Sequence, residues 1–305
     1  MKRPLIPVLA LIAAVVIGMI VVGFWTASRP AGAQDVAARF ADALATGDAD
    51  AARALLQDPT AVTEEAWTAF SGAEHLTLVD EAVVTEDDDT ARAEVPASLG
   101  DEPIELSFPL VRTDDGWRVA EAPLGTLSVT SSRGELVEVA DQPIALEGGA
   151  ARVDLLPGVY PVSAWPAAYL DGGADVAVAP AGEADAALDP AFTEEARTQA
   201  EEQLAAYIDG CLATAAEVPA GCGMVVPWPA DLAELDEISF RAETLPSPVV
   251  DLEAGTFAAE GGSVVVTATG LRADGSEAEF SYRSDTWSLR GTVSVDDEGL
   301  LLSVF

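Results

Sequence analysis

The stretch at residues 38–56, ARFADALATGDADAARALL, carries the pattern on which the reading of the fold turns. Val36, Phe40 and Leu44 recur every fourth residue with Ala37 and Ala41 beside them, the spacing of one apolar helix face. Gly47-Asp48 breaks that face, and Asp48 or Asp50 suits the N-cap of a second short helix through Leu55 and Leu56. Thr63, followed by Glu64 and Glu65, predicts a third helix with Trp67 and Phe70 on one side.

The period then changes to two. Leu76 and Leu78, then Leu106, Phe108 and Leu110, then Trp117 and Val119 alternate with polar neighbours, as half-buried strands do. Thr113-Asp114-Asp115-Gly116 between the last two is hairpin-turn chemistry. Three short helices followed by a meander that ends in DDGWRVAEAP resemble the cone-shaped domain of the nuclear-transport-factor-2-like superfamily. The resemblance rests on residues 38–56 and on Gly116-Trp117-Arg118-Val119, and it covers residues 34–123. It implies an apolar helix wedged into a curved sheet, with a pocket that some members use for ligands or isomerase chemistry. Such isomerases usually pair an acidic base with a tyrosine or similar donor, and residues 34–123 contain no tyrosine.

Residues 124–182 read as a small β-sandwich. Leu127 and Val129, then Leu136, Val137 and Val139, then Ile144 and Leu146 form short strands, and Tyr160 follows a Pro157-Gly158 turn. Residues 181–188 have the composition of an Ala/Gly/Asp linker. Asp189-Pro190 or Thr193 starts a long helix whose buried stripe is Ala200, Leu204, Tyr207, Ile208, Cys211 and Leu212. Strands follow at Ile238 and Phe240, 264–266, Phe280 and Tyr282, Trp287 and Leu289, Val293 and Val295, and 300–304. This order repeats the helix-then-meander logic of residues 34–123, and a second copy of that domain is one reading of it.

At the N-terminus, Leu5 to Phe24 is free of charge, and a helix of that length spans ~30 Å, the hydrocarbon thickness of a bilayer. Lys2 and Arg3 before it orient the rest of the chain outside the cytoplasm. The expected fold class is therefore α+β behind a transmembrane helix. Its parts are an anchor and stalk (1–33), the cone-type α+β domain (34–123), the β-sandwich (124–182), and a helix-plus-antiparallel-sheet domain with one disulfide (183–305). The alternative for the apolar run is a signal peptide cut near Ala33, after the small residues Ala31-Gly32-Ala33. Either way the body lies outside. Anchor, paired domains and an intervening β-module are similar in arrangement to the teicoplanin-resistance-associated membrane proteins of Gram-positive surfaces. Those carry a cytoplasmic zinc ribbon before the anchor, where this chain has Met1 to Pro4.

Charge narrows the partners. Residues 31–305 carry all 52 acidic side chains and 12 basic ones (15 less Lys2, Arg3 and Arg29), a formal net of −40. Such a body repels nucleic acid and anionic polymers. An envelope component or a basic protein remains open to it. One lysine against 14 arginines, with abundant Ala, Gly and Asp, suggests a GC-rich genome such as an actinobacterium's; a halophile is the other source of such acidity.

Cys211 and Cys222 are the only cysteines. Outside the cytoplasm they read as one disulfide closing a short loop, because a zinc site needs two further ligands and the chain has a single histidine, His75. Lys2 as sole lysine removes external Schiff-base, serine–lysine and phosphate-loop chemistry. No Gly-x-Ser-x-Gly elbow or Asp-Thr-Gly signature is present. Glu86-Asp87-Asp88-Asp89 reads as a solvated turn, with a weak cation site as the other option. The expectation is a non-enzymatic binding or scaffold protein of the bacterial envelope, without catalytic residues, metal or cofactor; a small-molecule receptor or pocket enzyme using carboxylates of residues 34–123, and a structural spacer, are the alternatives. Among its tryptophans, Trp165 before Pro166 and Trp228 between Pro227 and Pro229 are the candidate binding residues, because proline-flanked aromatics in loops are poorly placed for a core.

Overall fold

The computed structural model describes residues 31–305, so the transmembrane reading of Leu5–Phe24 lies outside the described residues. Among the described residues, no helix is long and apolar enough to cross a membrane. The chain forms two compact units. The first runs to Thr126 and takes in Asp154–Val159 and Ala177–Glu183; the second comprises Leu127–Val153, Tyr160–Val176 and Ala184–Phe305.

In the first unit, helix α1 (Ala33–Thr46) buries Val36, Phe40 and Leu44, and Gly47 ends it in the left-handed region at φ 70°. Ala33, which closes the small-residue cleavage pattern, is the buried first residue of this helix. The Asp48 carboxylate accepts the Ala51 N–H at 2.9 Å and starts α2 (Ala49–Leu55). The Thr63 hydroxyl accepts the Ala66 N–H at 3.2 Å and starts α3 (Glu64–Gly72). Each cap satisfies a backbone donor that the helix itself leaves unpaired.

Strands β1 (Glu74–His75), β2 (Thr77–Leu78), β3 (Val83–Asp87), β4 (Thr90–Leu99), β5 (Glu102–Thr113) and β6 (Gly116–Val119) follow. The main sheet runs β2-β4-β5-β6 with β3 also on β4, and β1 pairs with Gly158 and Val159. Phe40 meets Phe108 edge-on, ring centroids 5.0 Å apart. Phe70, Leu106 and Leu110 complete a floor with no exposed surface to speak of. Large apolar side chains of this sheet are thus buried with those of the helices.

In the second unit, β7 (Gly125–Ser131), β10 (Ala150–Leu155) and β14 (Glu183–Leu188) form a three-stranded sheet. Val162–Trp165 of β11 (Gly158–Trp165) pairs with β8 (Leu136–Val139), and β8 pairs with β9 (Gln142–Ala145). The short β12 (Leu170–Asp171) pairs with β15 (Ala191–Phe192), and β13 (Gly173–Val178) lies on β11. Helix α4 (Glu194–Gly210), capped by Thr193, buries Ala196, Ala200, Leu204 and Ile208. The last sheet is built of β16 (Glu234–Thr244), β17 (Ser247–Asp251), β18 (Thr256–Leu271), β19 (Glu277–Val295) and β20 (Leu300–Val304). Trp287, Val264 and Phe257 lie in its core with α4.

The α+β expectation is overturned. The described residues are mostly β, 51% strand against 19% helix, with four α-helices among them. Two stretches account for the difference. Residues 183–188 are not a linker but β14, with Ala186 and Leu188 buried; alanine alternating with Asp and Glu supplies a small apolar face that composition alone reads as loop. In the last sheet, β18 and β19 run 16 and 19 residues, far longer than the fragments expected at 264–266 and 280–295. Gly261 and Gly262 interrupt the alternation there, and the pairing shifts register between Ala259 and Val264. The strand continues through the bulge while its pattern does not. A single helix over one long-stranded sheet is the result.

Candidate functional site

Cys211 and Cys222 form a disulfide, Cα atoms 5.6 Å apart, with both residues buried. The loop that they close is fastened at further points. Ala215 and Ile238 exchange two backbone hydrogen bonds, 2.9 and 2.8 Å long. The indole N–H of Trp287 donates to the Cys222 carbonyl at 2.8 Å. Gly223, at φ 63°, lies so close to the Ser288 carbonyl that a Cβ there would sit 1.8 Å from its oxygen, which makes a side chain at 223 untenable. Leu232 is buried, and the Tyr282 hydroxyl donates to Asp231 at 2.9 Å. Desolvation first, and then this carboxylate, hold the Tyr282 hydroxyl protonated above its usual range.

Between these fixed ends lies Val225-Val226-Pro227-Trp228-Pro229. Val225 is 87% exposed. Trp228 opens a 3-10 turn and is half-buried, one side against the core and the rest open to solvent. An aliphatic and an indole are therefore presented from a backbone with little freedom left, the condition for binding at low entropic cost.

Trp165 is also half-buried, at the end of β11 opposite Leu136, joined to Pro166 by a cis peptide. It is not among the residues packed on the core that Trp228 covers. The other tryptophans among the described residues serve packing: Trp67, Trp117 and Trp287 are buried, Trp67 beneath the Arg53 guanidinium and Trp117 beneath that of Arg112. Sequence reasoning passed over Val225, although MVVPWP is unusually apolar for a loop. It also missed the strap from Trp287, which no local pattern announces.

His75 donates through Nε2 to the Phe70 carbonyl at 2.9 Å, since that oxygen can only accept, and its ring lies edge-on to Phe70. It ties the end of α3 to the strand that follows. Asp88 lies in a left-handed turn position, and no group of three metal-ligating side chains exists among the described residues. Among the described residues no Asp or Glu is buried. No protein-family model, curated protein or solved structure matches this chain.

Proposed function

We propose that this is a non-enzymatic binding or scaffold protein of the bacterial envelope, its body held outside the cytoplasm, and that the stapled loop is its contact surface. The observation that carries the reading is the exposed Val225 beside a half-open Trp228 on a loop pinned by the disulfide. A disulfide of this kind supports an oxidising compartment, in keeping with the charge-free run Leu5–Phe24. The acidic body directs binding to neutral or cationic targets. Co-sedimentation of the full chain with insoluble peptidoglycan tests the proposal. Retention that is lost in Val225→Asp supports it; equal retention of both chains, or of neither, counts against it.

A further inference from the structure

A second surface lies in the first unit, apart from the stapled loop. An open cleft of about 820 Å³ runs between α1 and the segment from Leu78 to Ala82. Its floor is apolar: Ala38, Ala41, Leu78, Ala82 and Val95. Val79 stands exposed on the wall at 68%, and Val83 is exposed just beyond it at 62%. Four carboxylates surround this floor, Asp35 and Asp42 from the helix and Asp80 and Glu81 from the opposite wall, with Arg39 as the one cation of the lining. Arg39 turns its Nε–H to the Asp35 carbonyl at 3.2 Å.

The walls are preset. The Gln34 side-chain amide donates across the cleft to the Ala82 carbonyl at 2.6 Å. The Val79 N–H bonds the Pro96 carbonyl at 2.9 Å, and the Asp80 carboxylate accepts the Glu81 N–H at 2.8 Å. An apolar trough with fixed walls and an acidic rim fits one kind of occupant: an extended peptide segment that alternates cationic and aliphatic side chains. Its aliphatic groups would cover Leu78 and Val79, and its ammonium or guanidinium groups would meet the rim. Residues 31–305 carry 12 basic side chains, all arginine, against 52 acidic ones, so cations are heavily outnumbered within the chain itself. We infer that this cleft docks a basic, apolar-studded segment of a partner protein. The inference does not depend on the stapled loop, and failure at either surface leaves the other standing.

The test uses the full chain and fluorescent five-residue peptides followed by anisotropy. Lys-Leu-Lys-Leu-Lys is the probe; Lys-Ser-Lys-Ser-Lys and Glu-Leu-Glu-Leu-Glu are the comparisons. The probe should bind best, with affinity falling as salt is raised. Asp80→Asn with Glu81→Gln should weaken it about tenfold, and so should Ala38→Arg, which fills the exposed floor. Neutralising Glu86 and Asp87, outside the cleft lining, should change it less than about twofold. Equal loss from both sets of charge changes would mean diffuse attraction to an acidic body and would overturn the inference. So would equal binding of the serine peptide, an absence of binding up to about 1 mM, or sedimentation showing the same face buried in a self-dimer that Ala38→Arg dissolves.

Discussion

Trp287 Nε1 donates to the Cys222 carbonyl oxygen across 2.8 Å, 65 residues away in the chain, with Trp287 fully buried. One bond therefore joins the centre of the longest strand to the end of the disulfide loop. Trp287→Phe keeps most of the apolar volume and removes the donor. Leaving a buried carbonyl unpaired costs about 1–3 kcal/mol, so denaturant unfolding of the second unit should shift by that amount. An unchanged midpoint would mean that the strap contributes nothing.

Reduction of the disulfide, or Cys211→Ser with Cys222→Ser, should destabilise the second unit by a little under ~3 kcal/mol, the chain-entropy value for so short a loop. Thiol titration under denaturing, non-reducing conditions should find no free thiol, since both cysteines are paired.

Gly47 and His75 constrain one another. A Cβ on Gly47 would lie 2.3 Å from His75 Cε1, on a residue whose φ is already 70°. Gly47→Ala should cost about 1–2 kcal/mol for the left-handed backbone alone, and more while the imidazole is present. In a His75→Ala background the extra cost should vanish, a coupling that a double-mutant cycle reads directly. Strict additivity would show that the ring moves aside freely.

Burial pushes the Tyr160 hydroxyl well above its usual pKa. Its contribution is complete below the unfolded-state value of about 10 and is lost as pH rises past it, because the unfolded chain ionises first. Stability should therefore fall above about pH 10, and Tyr160→Phe should flatten that fall. An identical alkaline slope in both chains would place the titration elsewhere.

Legibility in the sequence followed the local signals. The caps at Asp48, Thr63 and Thr193 and the stop at Gly47 stand where their chemistry puts them, because a cap depends on residues within one turn. The Cys211–Cys222 pair was legible from the count of two cysteines and their short spacing. The balance of strand over helix was not, because Gly261-Gly262 and the alanine-rich β14 hide long strands behind a broken or faint alternation. Trp165 and Trp228 were singled out for the same proline context, yet only Trp228 lies beside an exposed aliphatic on a stapled base. What separated them is packing from β19 and the core, which lies far away in the chain.

The most direct test of the central claim is thermal unfolding of the full chain and of Val225→Asp with soluble peptidoglycan fragments. Val225 is so exposed that its substitution alone should move stability by no more than about 0.5 kcal/mol. At a hundred times the dissociation constant the fragments should add ~2.7 kcal/mol to the parent chain and nothing to Val225→Asp. A shift of the same size in both chains, or none in the parent at any concentration, would contradict the account.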